Sequence, residues 1–237
     1  MVQQALAVRH PRDGQVNPPR TQGELGLPTL GMFLAVAPSV EQSVLSLFAL
    51  VREAIARATW ALLNGDLELG QTVVDGDQEV DELTAELELL IWARIEAEDL
   101  DPPSLRQHIG FLLILPELER SADLAEHIAQ RALSNVGTEM TPAARGIVQR
   151  MSEVAAEMWQ STAAAYVGND AGDLELHEAD EELDILHDRL TSEIGRGDMA
   201  TGATAQVTLI ARFYERLGDH AVNLSRRIAA LQDPAPS

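Results

Sequence analysis

One short acidic pattern occurs four times in this chain, in two matched sets, and that duplication restricts the possible folds severely. Asp77-Gln-Glu-Val-Asp81 is matched by Asp180-Glu-Glu-Leu-Asp184, and Glu119-Arg-Ser-Ala-Asp123 by Glu215-Arg-Leu-Gly-Asp219. The first pair is offset by 103 residues and the second by 96, so the halves share a layout and differ in loop length. Each set lies in a stretch of helical periodicity bounded by caps and breakers. Ser39 with Gln42 is a capping box opening a first helix that runs to about Asn64-Gly65. A second spans about Asp66 to Asp99, and Asp101-Pro102-Pro103 separates it from a third ending near Asn135. Thr141-Pro142 opens a fourth that ends at Gly168-Asn169; a fifth covers about Asp173 to Ile194, and a sixth Met199 to about Leu231. Six helices with short connections and no strand signal predict an all-α protein of two tandem three-helix bundles, 39–136 and 140–232. Residues 1–38, with five prolines and four glycines, read as a disordered N-terminal extension.

Charge narrows the function. The 38 acidic residues outnumber the 17 basic ones, all Arg, for a net charge of −21. Such a chain repels phosphate backbones and anionic lipid, which argues against nucleic acid or a membrane surface as partner. There is no Cys, hence no disulfide, thiolate metal site or thiol nucleophile. The longest purely apolar runs, such as Phe111–Leu115 and Phe33–Ala37, fall far short of the ~20 residues a bilayer span needs. Arg9 and Arg12 have no apolar segment of signal-peptide type behind them. The expectation is a cytoplasmic protein without membrane insertion.

The acid pairs are the candidate chemistry. At a spacing of four, two carboxylates lie one turn apart on the same helix face and repel each other. If each helix pair folds back as an antiparallel hairpin, Asp77/Asp81 reach the level of Glu119/Asp123, and Asp180/Asp184 that of Glu215/Asp219. The predicted apolar stripes are Val73, Val80, Leu83, Leu87 and Ile91 on the second helix. On the third they are Phe111, Leu115, Leu118 and Ala122, and on the fifth Leu176, Leu183, Leu190 and Ile194. About 100° of rotation per residue sets the acids roughly 65–115° from those stripes, at the core's edge. The sixth helix is apolar nearly all round, so periodicity does not place Glu215 and Asp219.

Eight carboxylates gathered in two seams, Asp77, Asp81, Glu119, Asp123 and Asp180, Asp184, Glu215, Asp219, suit hard cations such as Mg, Mn or Ca, and also iron. Oxygen-only ligation argues against a structural zinc site of the usual kind. The competing reading is ordinary solvated helix surface, common in so acidic a chain. Arg120 and Arg216 follow the two Glu, either as salt-bridge partners or as residues that hold the acids. Of the six His, only His187 has an acid three positions before it, so the paired Glu-x-x-His of a di-iron bundle is missing. No Gly-rich phosphate loop or nucleophile elbow occurs, and no enzymatic role is expected.

The segment Ala211-Arg-Phe-Tyr-Glu-Arg-Leu-Gly-Asp-His-Ala-Val-Asn-Leu224 resembles the last-helix signature of the PhoU family of phosphate-uptake regulators. A weaker copy lies at Pro116–His127, and the likeness extends over about 39–232. The family's acid-x-x-x-Asp motif matches all four pairs. The resemblance implies two three-helix bundles with metal at these motifs, iron in some members, with Mn, Mg or Zn as alternatives. It also implies a cytoplasmic, non-enzymatic, homodimeric regulator. Such a protein restrains phosphate uptake and the starvation response, contacting the phosphate ABC transporter ATPase and a sensor histidine kinase. The rival reading is a metal-storage or redox bundle.

Overall fold

Four helix starts in the computed structural model coincide with side chains that satisfy free backbone donors. The structure describes residues 39–97, 99–168 and 173–232; the extension expected over 1–38 lies outside them. Ser39 Oγ accepts the Gln42 N–H at 3.2 Å while Gln42 Oε1 accepts the Ser39 N–H at 3.1 Å, closing the expected capping box of α1 (Val40–Asn64). Gly65, at φ 65°, ends that helix in a left-handed conformation. Helix α2 (Leu67–Ala97) follows at once, with Asp66 Oδ1 accepting the Leu69 N–H. Asp101 caps α3 (Pro102–Leu133), and Thr141 caps α5 (Pro142–Tyr166), each with a proline in the first turn. Helices α6 (Asp173–Ile194) and α7 (Thr201–Gln232) complete the second half.

Between the halves the structure adds a one-turn helix that periodicity does not reveal, α4 (Val136–Glu139). It is held against the end of α1 very closely. A Cβ built on Gly137 would lie 1.7 Å from the Leu62 carbonyl oxygen, so only glycine fits there. The Arg145 guanidinium donates to the Gly137 carbonyl at 2.7 Å and to the Leu63 carbonyl, tying α5 to both α4 and α1.

The expectation of two tandem three-helix bundles holds, and among the described residues every regular element is a helix. Helices α1, α2 and α3 pack on one another, as do α5, α6 and α7, and across the halves α1 packs on α5 and α3 on α7. The described residues therefore form one compact unit. Trp159, Tyr214 and Phe48 are its largest buried side chains. The Tyr214 hydroxyl meets Thr59 Oγ1 at 2.5 Å across the seam between halves, and Trp159 Nε1–H donates to the Leu217 carbonyl. The predicted stripes of α2, α3 and α6 face this core, except that Leu83 and Ile194 are only partly buried. Helix α7 begins at Thr201 rather than at Met199, which is buried ahead of it. Among the described residues no helix is long and apolar enough to cross a membrane.

Candidate metal centre

Antiparallel pairing of α2 with α3 brings the first-half acids to one level, as their spacing requires. Asp77 and Asp81 project from successive turns of α2, and Asp123 approaches from α3. One carboxylate oxygen from each of the three lies within 4.8 Å of the other two. Two oxygens sharing one ion at roughly 2.0–2.6 Å can stand no more than about 4–5 Å apart, so this spacing fits a single hard cation. Asp77 is the innermost of the three. It is half-buried, and its Oδ1 is shielded from solvent with no hydrogen-bond partner. An unpartnered buried carboxylate oxygen is costly unless something positive satisfies it.

Electrostatics agree with the geometry. Burial first, then the carboxylates of Asp123, Asp81, Glu126 and Glu119, push Asp77 up to about 7. Glu119 is also raised, by burial and by Asp81, Asp123 and Glu88, with Arg120 opposing. It stands beside the three-acid group without entering it. Arg120 turns to Glu117 instead, at 3.7 Å, and Arg131 lies over the Phe213 ring, 5.1 Å from its centre. A cavity of about 210 Å³ between α1 and α2, lined in part by Leu50, Arg57 and Gly76, has Asp77 in its wall.

The second half holds its acids differently. Burial, then Asp184 and Asp219, raise Asp180, while His177 and Arg226 pull the other way. Glu215 is in contact with the Arg212 guanidinium and lies 3.9 Å from His187 Nε2. Nearby cations compensate this cluster, and among the described residues it yields no group of three donors as tight as that of the first half. The eight expected ligands are thus one close group of three with Glu119 beside it, a looser set of Asp180, Asp184 and Asp219, and Glu215 engaged by Arg212 and His187.

Sequence reasoning missed Glu117. Although acidic, it sits on the buried side of α3, 3.2 Å from Arg227 of α7 and 3.7 Å from Arg120. One position from the core residue Leu118, it could have been found only by noticing an acid inside the predicted apolar stripe. His220 of α7 has Nδ1 3.0 Å from Ser121 Oγ of α3.

Two stretches, residues 44–132 and 148–228, match the family model of the PhoU domain. Phosphate-specific transport system accessory protein PhoU homolog 2 of Mycobacterium tuberculosis is 29% identical over 179 residues, covering 74% of this chain and 84% of that protein. The Caulobacter vibrioides PhoU homolog is 28% identical, covering 73% of this chain and 78% of its own length. Among solved structures, PhoU from Pseudomonas aeruginosa superimposes with a TM-score of 0.74 at 22% identity, covering 81% of this chain and 94% of that one. The phosphate transport system regulatory protein PhoU from Streptococcus pneumoniae gives 0.71 at 22% identity, covering 81% and 93%. With one matched stretch in each three-helix half, together spanning well over half of its length, the chain belongs to the PhoU family.

Proposed function

We propose that this protein is an accessory regulator of phosphate transport that acts without catalysis. It restrains uptake and the phosphate-starvation response from the cytoplasmic side, as a homodimeric adaptor between the phosphate ABC transporter ATPase and a sensor histidine kinase. The observation that carries this reading is the match through both halves to relatives named as phosphate-specific transport system accessory proteins, over most of their length. The absence of a nucleophile elbow or phosphate loop agrees with an adaptor rather than an enzyme.

Within that reading Asp77, Asp81 and Asp123, with Glu119 adjacent, hold a divalent cation of the Mg, Mn or iron kind. Asp180, Asp184, Glu215 and Asp219 form a second, weaker position. A bound cation supplies charge neutralisation. The residues themselves set the consequence: four acids at one level of the α2–α3 seam repel when bare, so neutralising them stiffens the hairpin. Deleting the gene should raise both phosphate uptake and starvation-gene expression in phosphate-rich medium, read by radiolabelled phosphate and a promoter reporter. Unchanged uptake and expression would overturn the proposal.

A further inference from the structure

The duplicated architecture supplies its own control for surface residues that the fold does not require. Beyond the acid cluster, the α2–α3 seam continues towards the turn that joins the two helices. The pairing that sets Asp77 beside Asp123 places Glu88 level with Leu112 and Trp92 level with His108, next to Ile109. Positions 77, 81, 88 and 92 are spaced by four, seven and four, which puts them on one flank of α2. Positions 123, 119, 112, 109 and 105 likewise line one flank of α3. Glu88 raises the pKa of Glu119 across the gap, as it should if both flanks border the same seam.

At the turn end this strip is apolar and open. Trp92 is 53% exposed, Ile109 46% and Leu105 37%. At the equivalent positions of the second half stand Gly195, Ala205 and Thr201, with Thr208 in place of Leu112. The shared fold therefore forms without these large side chains. An exposed Trp beside two exposed aliphatics is a recognition surface of the kind that anchors a partner.

Charge decides what covers it. Trp92 lies between Glu88 and Glu96, one turn to each side, and α2 holds nine acids against Arg94 alone. A second copy would bring the same acids, and an anionic lipid surface would be repelled. We propose that the turn end of the α2–α3 seam is a docking surface for a basic amphipathic helix of another protein. Its apolar side chains cover Trp92, Leu105 and Ile109, and its Lys or Arg side chains pair with Glu88 and Glu96. This goes beyond the phosphate reading and does not depend on it.

The test uses the full chain and a fluorescently labelled amphipathic peptide of leucine and lysine about 18 residues long, five helical turns, followed by anisotropy in EDTA buffer. The peptide should bind the wild-type chain, and a version with glutamate for lysine should not. Trp92→Ser combined with Ile109→Ser, which leaves the net charge unchanged, should weaken binding at least about tenfold. Leu209→Ser, at an exposed site on the second half, should leave it intact. Circular dichroism checks that the exposed-site variants fold. Equal binding by wild type and the double variant would overturn the proposal. So would loss of self-association, or of binding to phosphatidylglycerol vesicles, in the double variant. Such a failure beside a deletion strain with raised phosphate uptake would leave the phosphate reading standing.

Discussion

Asp77 is where stability and pH are coupled. Its ordinary pKa of 3.8 rises to about 7 in the folded chain, so the native state keeps a proton that the unfolded chain releases. More protons bound in the native state give stability a negative slope with pH. The contribution is complete below about pH 4 and is lost as pH rises through 7. At a half-buried site, with solvent screening allowed for, roughly 1–2 kcal/mol is at stake. The metal-free chain should therefore have a lower urea midpoint at pH 8 than at pH 5, and Asp77→Asn should flatten most of that difference. A midpoint that rises over this range in wild type would show that the repulsion among these acids is not felt. The clustering of Asp77, Asp81 and Asp123 was legible in the sequence because a spacing of four and a hairpin turn set both face and level. The looser second set was not, since Arg212 and His187 reach Glu215 through side-chain rotamers that spacing does not encode.

At the scale of elements, local rules explain most boundaries. Ser39, Asp101 and Thr141 each accept a backbone N–H three residues on, which is why the starts of α1, α3 and α5 could be read from the chain. Helix α4 could not, because a single turn shows no periodicity and its position is set by contact with α1. That contact makes a strong prediction. Gly137→Ala drives a methyl group into the Leu62 carbonyl and should cost about 2–4 kcal/mol, read as a fall in the urea midpoint. Thr141→Ala should cost about 1 kcal/mol, as it removes a cap and the 2.8 Å bond to the buried Glu193. Equal effects from the two substitutions would contradict the close approach at Gly137.

For the whole molecule, the issue is how independent the halves are. The sequence repeat suggests two autonomous bundles, but the packing joins them along α1–α5 and α3–α7. Thr59 with Tyr214 and Glu117 with Arg227 place polar links in that junction. Urea unfolding followed by circular dichroism and by tryptophan fluorescence should give one coincident transition. Glu117→Ala should lower the unfolding free energy by about 1–3 kcal/mol, read as a lower midpoint, because removing a largely buried acid takes their carboxylate partner from Arg227 and Arg120. Two separated transitions in the wild-type chain would show halves that fold alone. Such long-range pairing is not visible in helical periodicity, which reports which face of a helix is buried and not which helix buries it.

The most direct test of the account is calorimetric titration of Mn²⁺ into the EDTA-stripped full chain. The tightest site should vanish when Asp77→Asn is combined with Asp123→Asn and should survive Asp180→Asn combined with Asp219→Asn. An isotherm that ignores the Asp77 and Asp123 substitutions, or a wild-type chain that binds no Mn²⁺ at all, would contradict it.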